Sequence, residues 1–197
     1  MIIQFFIFIF LFVFGASVAS FLVSVVSSKN ALSIFSRSKC DHCSVSLKFY
    51  NLIPILSYLF QMGKCSFCRK SIKINYLIYE VILAISLPLA WFANIEQGLI
   101  TQIIMCIIIM SFCFTIYLDW EKMLISLPVI GVILVSTFLL YLINESYNYD
   151  LLLSKLFGLI VGFLSLWGIN RIYFMVRKKI GIGEGDPILF AVIGFFI

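Results

Sequence analysis

Residues 2–26 read IIQFFIFIFLFVFGASVASFLVSVV, without one charged side chain. A helix rises about 1.5 Å per residue and the bilayer core is about 30 Å thick, so about 20 such residues cross it. The run lacks a basic leader segment and is too long for a cleavable signal, so it reads as a membrane helix that stays. Similar runs follow at about 77–93, 99–118, 124–143 and 151–174. A last one opens at Pro187 and stops at Ile197, too short to span. The expectation is a chain truncated within a sixth helix. Composition agrees: 63% of the 197 residues are hydrophobic and 12% charged, against about 45–50% and about 25% in a soluble domain. The alternating strands of a lipid-facing barrel are missing. The fold class is an all-α polytopic membrane protein of about six transmembrane helices, the last incomplete.

Lysine and arginine orient these helices. The stretch 27–76 carries Lys29, Arg37, Lys39, Lys48, Lys64, Arg69, Lys70 and Lys73 against one acid, Asp41. Lys122 marks the turn at 119–123, and Arg171, Arg177, Lys178 and Lys179 mark 171–186. The turns holding Glu96, and Glu145 with Asp150, have no base. Basic and bare segments alternate, which places 27–76, 119–123 and 171–186 in the cytoplasm and the N-terminus outside. The net charge of +5 lies beside membrane segments, so the partner is the lipid bilayer and not nucleic acid. Three parts result: a first helix at 1–26, a cytoplasmic loop at 27–76 and a membrane domain at 77–197. No internal repeat stands out.

A fifty-residue loop cannot bury much core and needs a staple. Cys40-Asp-His-Cys43 and Cys65-Ser-Phe-Cys68 supply one. Two CxxC pairs at this separation have the spacing of a zinc ribbon, slightly long, and on the cytoplasmic side a disulfide is disfavoured. The expected ligands are Cys40, Cys43, Cys65 and Cys68, with structural zinc as cofactor. His42 lies inside the first pair, but four thiolates already close a tetrahedron. Cys106 and Cys113 share one face of a membrane helix and read as packing residues.

Two carboxylates carry the chemistry. Asp119 ends the helix that starts near Leu99, where the negative end of the helix dipole and the apolar Ile-Tyr-Leu before it should hold a proton. Asp186 lies in Gly181-Ile-Gly183-Glu184-Gly185-Asp186-Pro187, where an N-terminal position favours its charge. Each alone can be an ordinary boundary residue, and Asp-Pro is an ordinary helix start. Three glycines in five residues exceed what a cap needs and suggest a close approach. Both aspartates fall on the cytoplasmic side. If they meet, they fit aspartic-protease logic: one proton shared, water activated by one carboxylate, the scissile carbonyl polarised by the other. Gly183 and Gly185 would let a peptide lie extended beside them, and Glu121 and Glu184 would attract a basic one. Glu80 reads either as an interfacial structural acid or as a substrate-binding one.

At this point the chain resembles the type IV prepilin peptidases. The likeness rests on Gly15-Ala-Ser-Val-Ala-Ser20-Phe21-Leu22, Arg37 to Cys43, Tyr50 to Leu59 with Pro54, Gly63-Lys64-Cys65 to Cys68, Tyr79-Glu80, Asp119 with Pro128 after it, and Gly183 to Asp186. It departs from the family at Ile188, where Lys is common. The resemblance implies a bacterial inner-membrane endopeptidase with a periplasmic N-terminus. Such an enzyme removes the basic leader of prepilins and of the pseudopilins of type II secretion. It implies Asp119 and Asp186 as the catalytic pair, and in bifunctional members methylation of the new N-terminus with S-adenosylmethionine. Three other readings are weighed: a presenilin-like intramembrane protease, disfavoured by the Cys loop and its Pro54 segment; a non-catalytic, zinc-stapled assembly factor for pili; and a transporter, disfavoured because Glu80 is the one candidate for a mid-membrane carboxylate.

Overall fold

The computed structural model describes residues 2–27, 38–40, 42–144, 149–179, 181 and 183–197. Lys29, Arg37, Asp41 and Glu145, used above to orient the helices, lie outside them. Among the described residues five helices are long and apolar enough to cross a membrane: α1 (Ile2–Ser27), α3 (Ile74–Ala93), α4 (Leu99–Lys122), α5 (Leu127–Asn144) and α6 (Tyr149–Arg177). Two are short, α2 (Leu56–Phe60) and α7 (Asp186–Phe196). No strand occurs among the described residues; only the isolated bridges Lys39 to Ser46 and Lys64 to Ser71 pair extended backbone. The all-α membrane class is the observed one. Large side chains such as Phe6 (64% exposed) and Phe157 (68%) stand bare on the helices, as they do where lipid is the solvent.

The chain forms two compact units, residues 1–93 and 94–197. In the first, α1 and α3 run antiparallel, with Gly15 against Leu83 and Phe8 stacked on Phe92 at 6.4 Å. The face of α1 that is covered is Leu11, Gly15, Ala16, Ala19, Val23 and Val26; that of α3 is Tyr79, Glu80, Leu83, Ala84, Leu87 and Pro88. Lipid offers no hydrophobic drive for helix pairing, so small residues that let backbones close up take over that task. A methyl group on Gly15 would stand 2.6 Å from the Leu83 carbonyl oxygen.

Between these helices the loop folds as two copies of one hairpin, an internal repeat missed in the sequence reading. Lys39-Cys40-x-x-Cys43-x-x-Ser46-Leu47 aligns with Lys64-Cys65-x-x-Cys68-x-x-Ser71-Ile72. Cys40 N–H donates to Val45 O (3.0 Å) and Ser44 N–H to Cys40 O (2.9 Å). Cys65 N–H donates to Lys70 O (2.9 Å) and Arg69 N–H to Cys65 O (3.0 Å). Ser44 and Arg69 take the same left-handed φ, 56° and 59°. The repeat hid because the residues between the two copies share no pattern.

In the second unit α4 and α5 pack antiparallel around Ile104, Ile108 and Leu140, and Thr101 Oγ1 donates to Asn144 Oδ1 at 3.0 Å. α7 lies against both α6 and α5. Its Val192 is buried with Ile130 and Ile133 of α5. Against α6 the contact is glycine on glycine: a methyl on Gly158 would strike the carbonyl of Gly194, and one on Gly162 that of Phe190.

Candidate functional site

Asp119 lies in the last turn of α4. The helix stops at Met123, whose left-handed φ of 51° lets its N–H return to the Asp119 carbonyl at 2.8 Å. The Asp119 side chain is exposed. Asp186 begins α7 and is partly buried. The cap falls on Gly185, one residue before the expected one, because the carboxylate faces backward: Gly183 N–H donates to Asp186 Oδ2 at 3.0 Å, leaving the helix amides to others.

The glycines around Asp186 are there for room. A methyl at Gly183 would sit 3.2 Å from Asp186 Oδ2. One at Gly185 would sit 2.8 Å from the Cβ of Ile125, too close for two carbons. Ile125 belongs to the linker that leaves α4 just after Met123. The turn carrying Asp186 is thus seated against the segment that follows Asp119. Among the described residues no hydrogen bond joins the two carboxyl groups. Glu121 is half-buried in the final turn of α4, and Glu184 is exposed on the turn before α7. Ile125 was not anticipated, since an isoleucine in a linker carries no chemical signal.

The four loop cysteines converge. Their sulfurs all lie within 4.8 Å of one another, and Cys40 Sγ is 3.9 Å from Cys68 Sγ. In a tetrahedral site with sulfur about 2.3 Å from the metal, ligand sulfurs stand about 3.8 Å apart. The geometry therefore suits a metal ion. His42 contributes its backbone N–H, 3.5 Å from Cys40 Sγ, and is not part of the cluster. Backbone N–H groups of Cys68 and then Phe67 hold the Cys65 thiol down at about 6. At Cys43 the Val45 backbone contact favours the thiolate, but desolvation and the neighbouring sulfurs outweigh it and push the thiol up to about 11. Four thiolates this close need a cation among them to coexist.

Glu80 occupies a third place, in the first unit. It is buried, and its Oε2 accepts the Ile55 N–H at 2.7 Å, while the Ser20 hydroxyl bonds the same carboxylate. Ile55 has φ 63° and ψ −56°, and Leu56 N–H reaches Pro54 O at 2.6 Å. This is a γ-turn of the strained kind, centred on a β-branched residue that rarely tolerates it. Asn51 is buried nearby in sequence, with no hydrogen-bond partner for its Nδ2. Ser20, the segment with Pro54, and Glu80 are far apart in the chain and meet here. Ile55 and Asn51 went unremarked as site residues; Pro54 beside Asn51 was the available sign of an irregular turn.

The sequence model of the bacterial peptidase A24 N-terminal domain matches residues 13–94. A prepilin leader peptidase/N-methyltransferase of Stutzerimonas stutzeri is 30% identical over 160 residues, 80% of this chain and 53% of that protein. One from Dichelobacter nodosus is 28% identical over 76% of this chain and 50% of its own length. A type 4 prepilin-like proteins leader peptide-processing enzyme of Escherichia coli O78:H11 is 26% identical over 87% of this chain and 62% of its own. The chain spans about half the length of the curated relatives it matches. No solved structure matches it.

Proposed function

We propose, from the premise that this chain belongs to the prepilin leader peptidase family, that it is an aspartic endopeptidase of the bacterial inner membrane. It cuts the basic leader from prepilins or pseudopilins at the cytoplasmic face, with its N-terminus in the periplasm. The alternation of basic and bare loops supports that orientation. Asp119 and Asp186 form the pair. Asp119, at a helix C-terminus, holds the proton and polarises the scissile carbonyl; Asp186, at a helix N-terminus, takes the proton from water. Gly183 is exposed beside the Asp186 carboxylate and leaves space for an extended peptide, whereas the room expected at Gly185 is taken by Ile125; Glu121 and Glu184 draw in the basic leader.

One observation supports this reading above others: Gly185 seats the Asp186 turn on Ile125, just beyond the helix whose last turn carries Asp119. Zinc is the metal we assign to the four cysteines, since a closed tetrahedral thiolate set is its usual structural site. Where methylation follows, S-adenosylmethionine supplies the methyl group. The first unit has a cavity large enough for it, with Ser17, Ser24 and Lys73 as polar lining.

The test is incubation of membranes containing the chain with a prepilin, read by mass. Asp119→Asn and Asp186→Asn should each lower cleavage by at least about 10³-fold, the scale seen when one member of a catalytic unit is lost. Cleavage that survives either change would reject the aspartate pair, and no cleavage by the unaltered chain would leave the non-catalytic assembly role as the better reading.

A further inference from the structure

The two hairpins share a backbone but not a chemistry. The first reads Cys40-Asp-His-Cys43-Ser-Val-Ser46, the second Cys65-Ser-Phe-Cys68-Arg-Lys-Ser71. An acid, a His, a Ser and a Val in one stand against Ser, Phe, Arg and Lys in the other. Arg69 holds a φ of 59°, which is uncommon for a long side chain. From Cys43 to Tyr79 the chain has no acidic residue, while Lys48, Lys64, Arg69, Lys70 and Lys73 are all exposed.

Next to the second hairpin, the chain reverses after α2. Met62 and Gly63 take φ values of 51° and 66°, and Gly63 N–H donates to Tyr58 O at 2.9 Å. A methyl on Gly63 would stand 2.8 Å from the Tyr58 hydroxyl oxygen, so the reversal is tightly packed. It leaves Phe60 82% and Met62 86% exposed. These two line a concave pocket of about 400 Å³ together with Gln61, Lys64, Ser66 and Arg69. Ser66 Oγ donates to Gln61 Oε1 across it at 3.0 Å.

Two bare apolar side chains beside two cations suit the boundary between lipid headgroups and acyl chains. An acidic protein surface would answer the cations alone. An anionic bilayer surface answers the cations and the apolar pair together. The chain also holds the pocket near that boundary. An extended residue covers at most about 3.6 Å, so Arg69 lies within about 18 Å of Ile74, where α3 begins. There Lys73 Nζ stands 6.0 Å from the centre of the Tyr76 ring, and aromatic residues are enriched at membrane–water interfaces.

We propose that this pocket docks on the bilayer surface in the leaflet where α3 begins. Lys64 and Arg69 take the phosphate of an anionic phospholipid, and Phe60 and Met62 enter the acyl boundary. Nothing in this role requires the chain to cleave a peptide.

The experiment places the full chain in nanodiscs of phosphatidylcholine alone, or of the same lipid with about a third phosphatidylglycerol. Phe60→Trp is introduced with Trp91, Trp120 and Trp167 changed to Phe, so that one indole reports. Lipid brominated near the top of its acyl chains should quench that indole, and more strongly with phosphatidylglycerol present. A cation near an anionic surface is worth about 5-fold, so Lys64→Gln with Arg69→Gln should lower the docked-to-undocked ratio about 25-fold. Lys39→Gln with Lys48→Gln removes the same charge elsewhere in the loop and should leave the ratio unchanged. The chain with its natural tryptophans supplies a second measurement. Released from mixed discs into a mass spectrometer, it should retain phosphatidylglycerol over phosphatidylcholine, and the Lys64 and Arg69 pair of changes should remove that preference at an unaltered thermal midpoint. An indole unquenched in both lipids would overturn the docking and leave an acidic protein surface as the better occupant. Equal quenching in both lipids, equal effects of the two pairs, or no lipid preference in the spectrometer would overturn the phosphate site.

Discussion

Gly185 has an ordinary helical φ of −78°, so its glycine serves closeness and not backbone freedom. Gly185→Ala should push the Asp186 turn off Ile125 at a cost of about 1–3 kcal/mol, the usual range for overpacking. The expected outcome is a lower turnover number with the fold intact. Ile125→Ala in the same chain should restore part of it, a coupling that a double-mutant cycle reads directly. Additive losses would show that the two residues do not meet. This contact illustrates how the residue scale was read. The glycines signalled a close approach, and that was legible. Its partner was not, because nothing in an isoleucine announces which backbone it will touch. Ile55 was harder still: its side chain argues for an extended conformation, and only its bond to the buried Glu80 explains a left-handed one.

Among the elements, α7 takes its place from α6. Gly158 and Gly162 form a small-xxx-small face on which the backbone of α7 rides. Gly158→Leu should displace α7 and with it Asp186, lowering the thermal midpoint and cleavage together. Gly168→Leu on the same helix, with nothing within 4 Å, should do neither. Equal effects of the two would refute the docking. The spans of the helices were legible to within a few residues, because a bilayer dictates length and apolarity with little room for exceptions. Their pairing was not, since lipid-facing and protein-facing residues are mostly alike in this chain, and only scattered small or polar residues such as Gly15, Ala19, Thr101 and Thr137 mark the covered faces.

At the level of the molecule, the zinc proposed for the four cysteines would hold the loop folded. Purified protein should contain about one zinc per chain, and Cys40→Ser or Cys65→Ser should remove it. Metal analysis that finds none in the wild type, or retention in both variants, would reject the site. The cluster itself was fully legible, because two CxxC pairs leave a small loop few other ways to be held. Its symmetry was not, although Lys-Cys-x-x-Cys-x-x-Ser recurs in plain view.

Cys40 and Cys65 also line the cavity that holds Glu80 and Asn51. A metal held by the cysteines and an occupant of the cavity would share a wall, and any effect of one on that wall is felt by the other. Linkage is reciprocal: the factor by which an occupied cavity tightens the hold on the ion is the factor by which the ion tightens the hold on the cavity's occupant. The zinc proposed for the four cysteines would then act on the cavity as well as staple the loop, and varying free zinc against occupancy of the cavity would read that coupling.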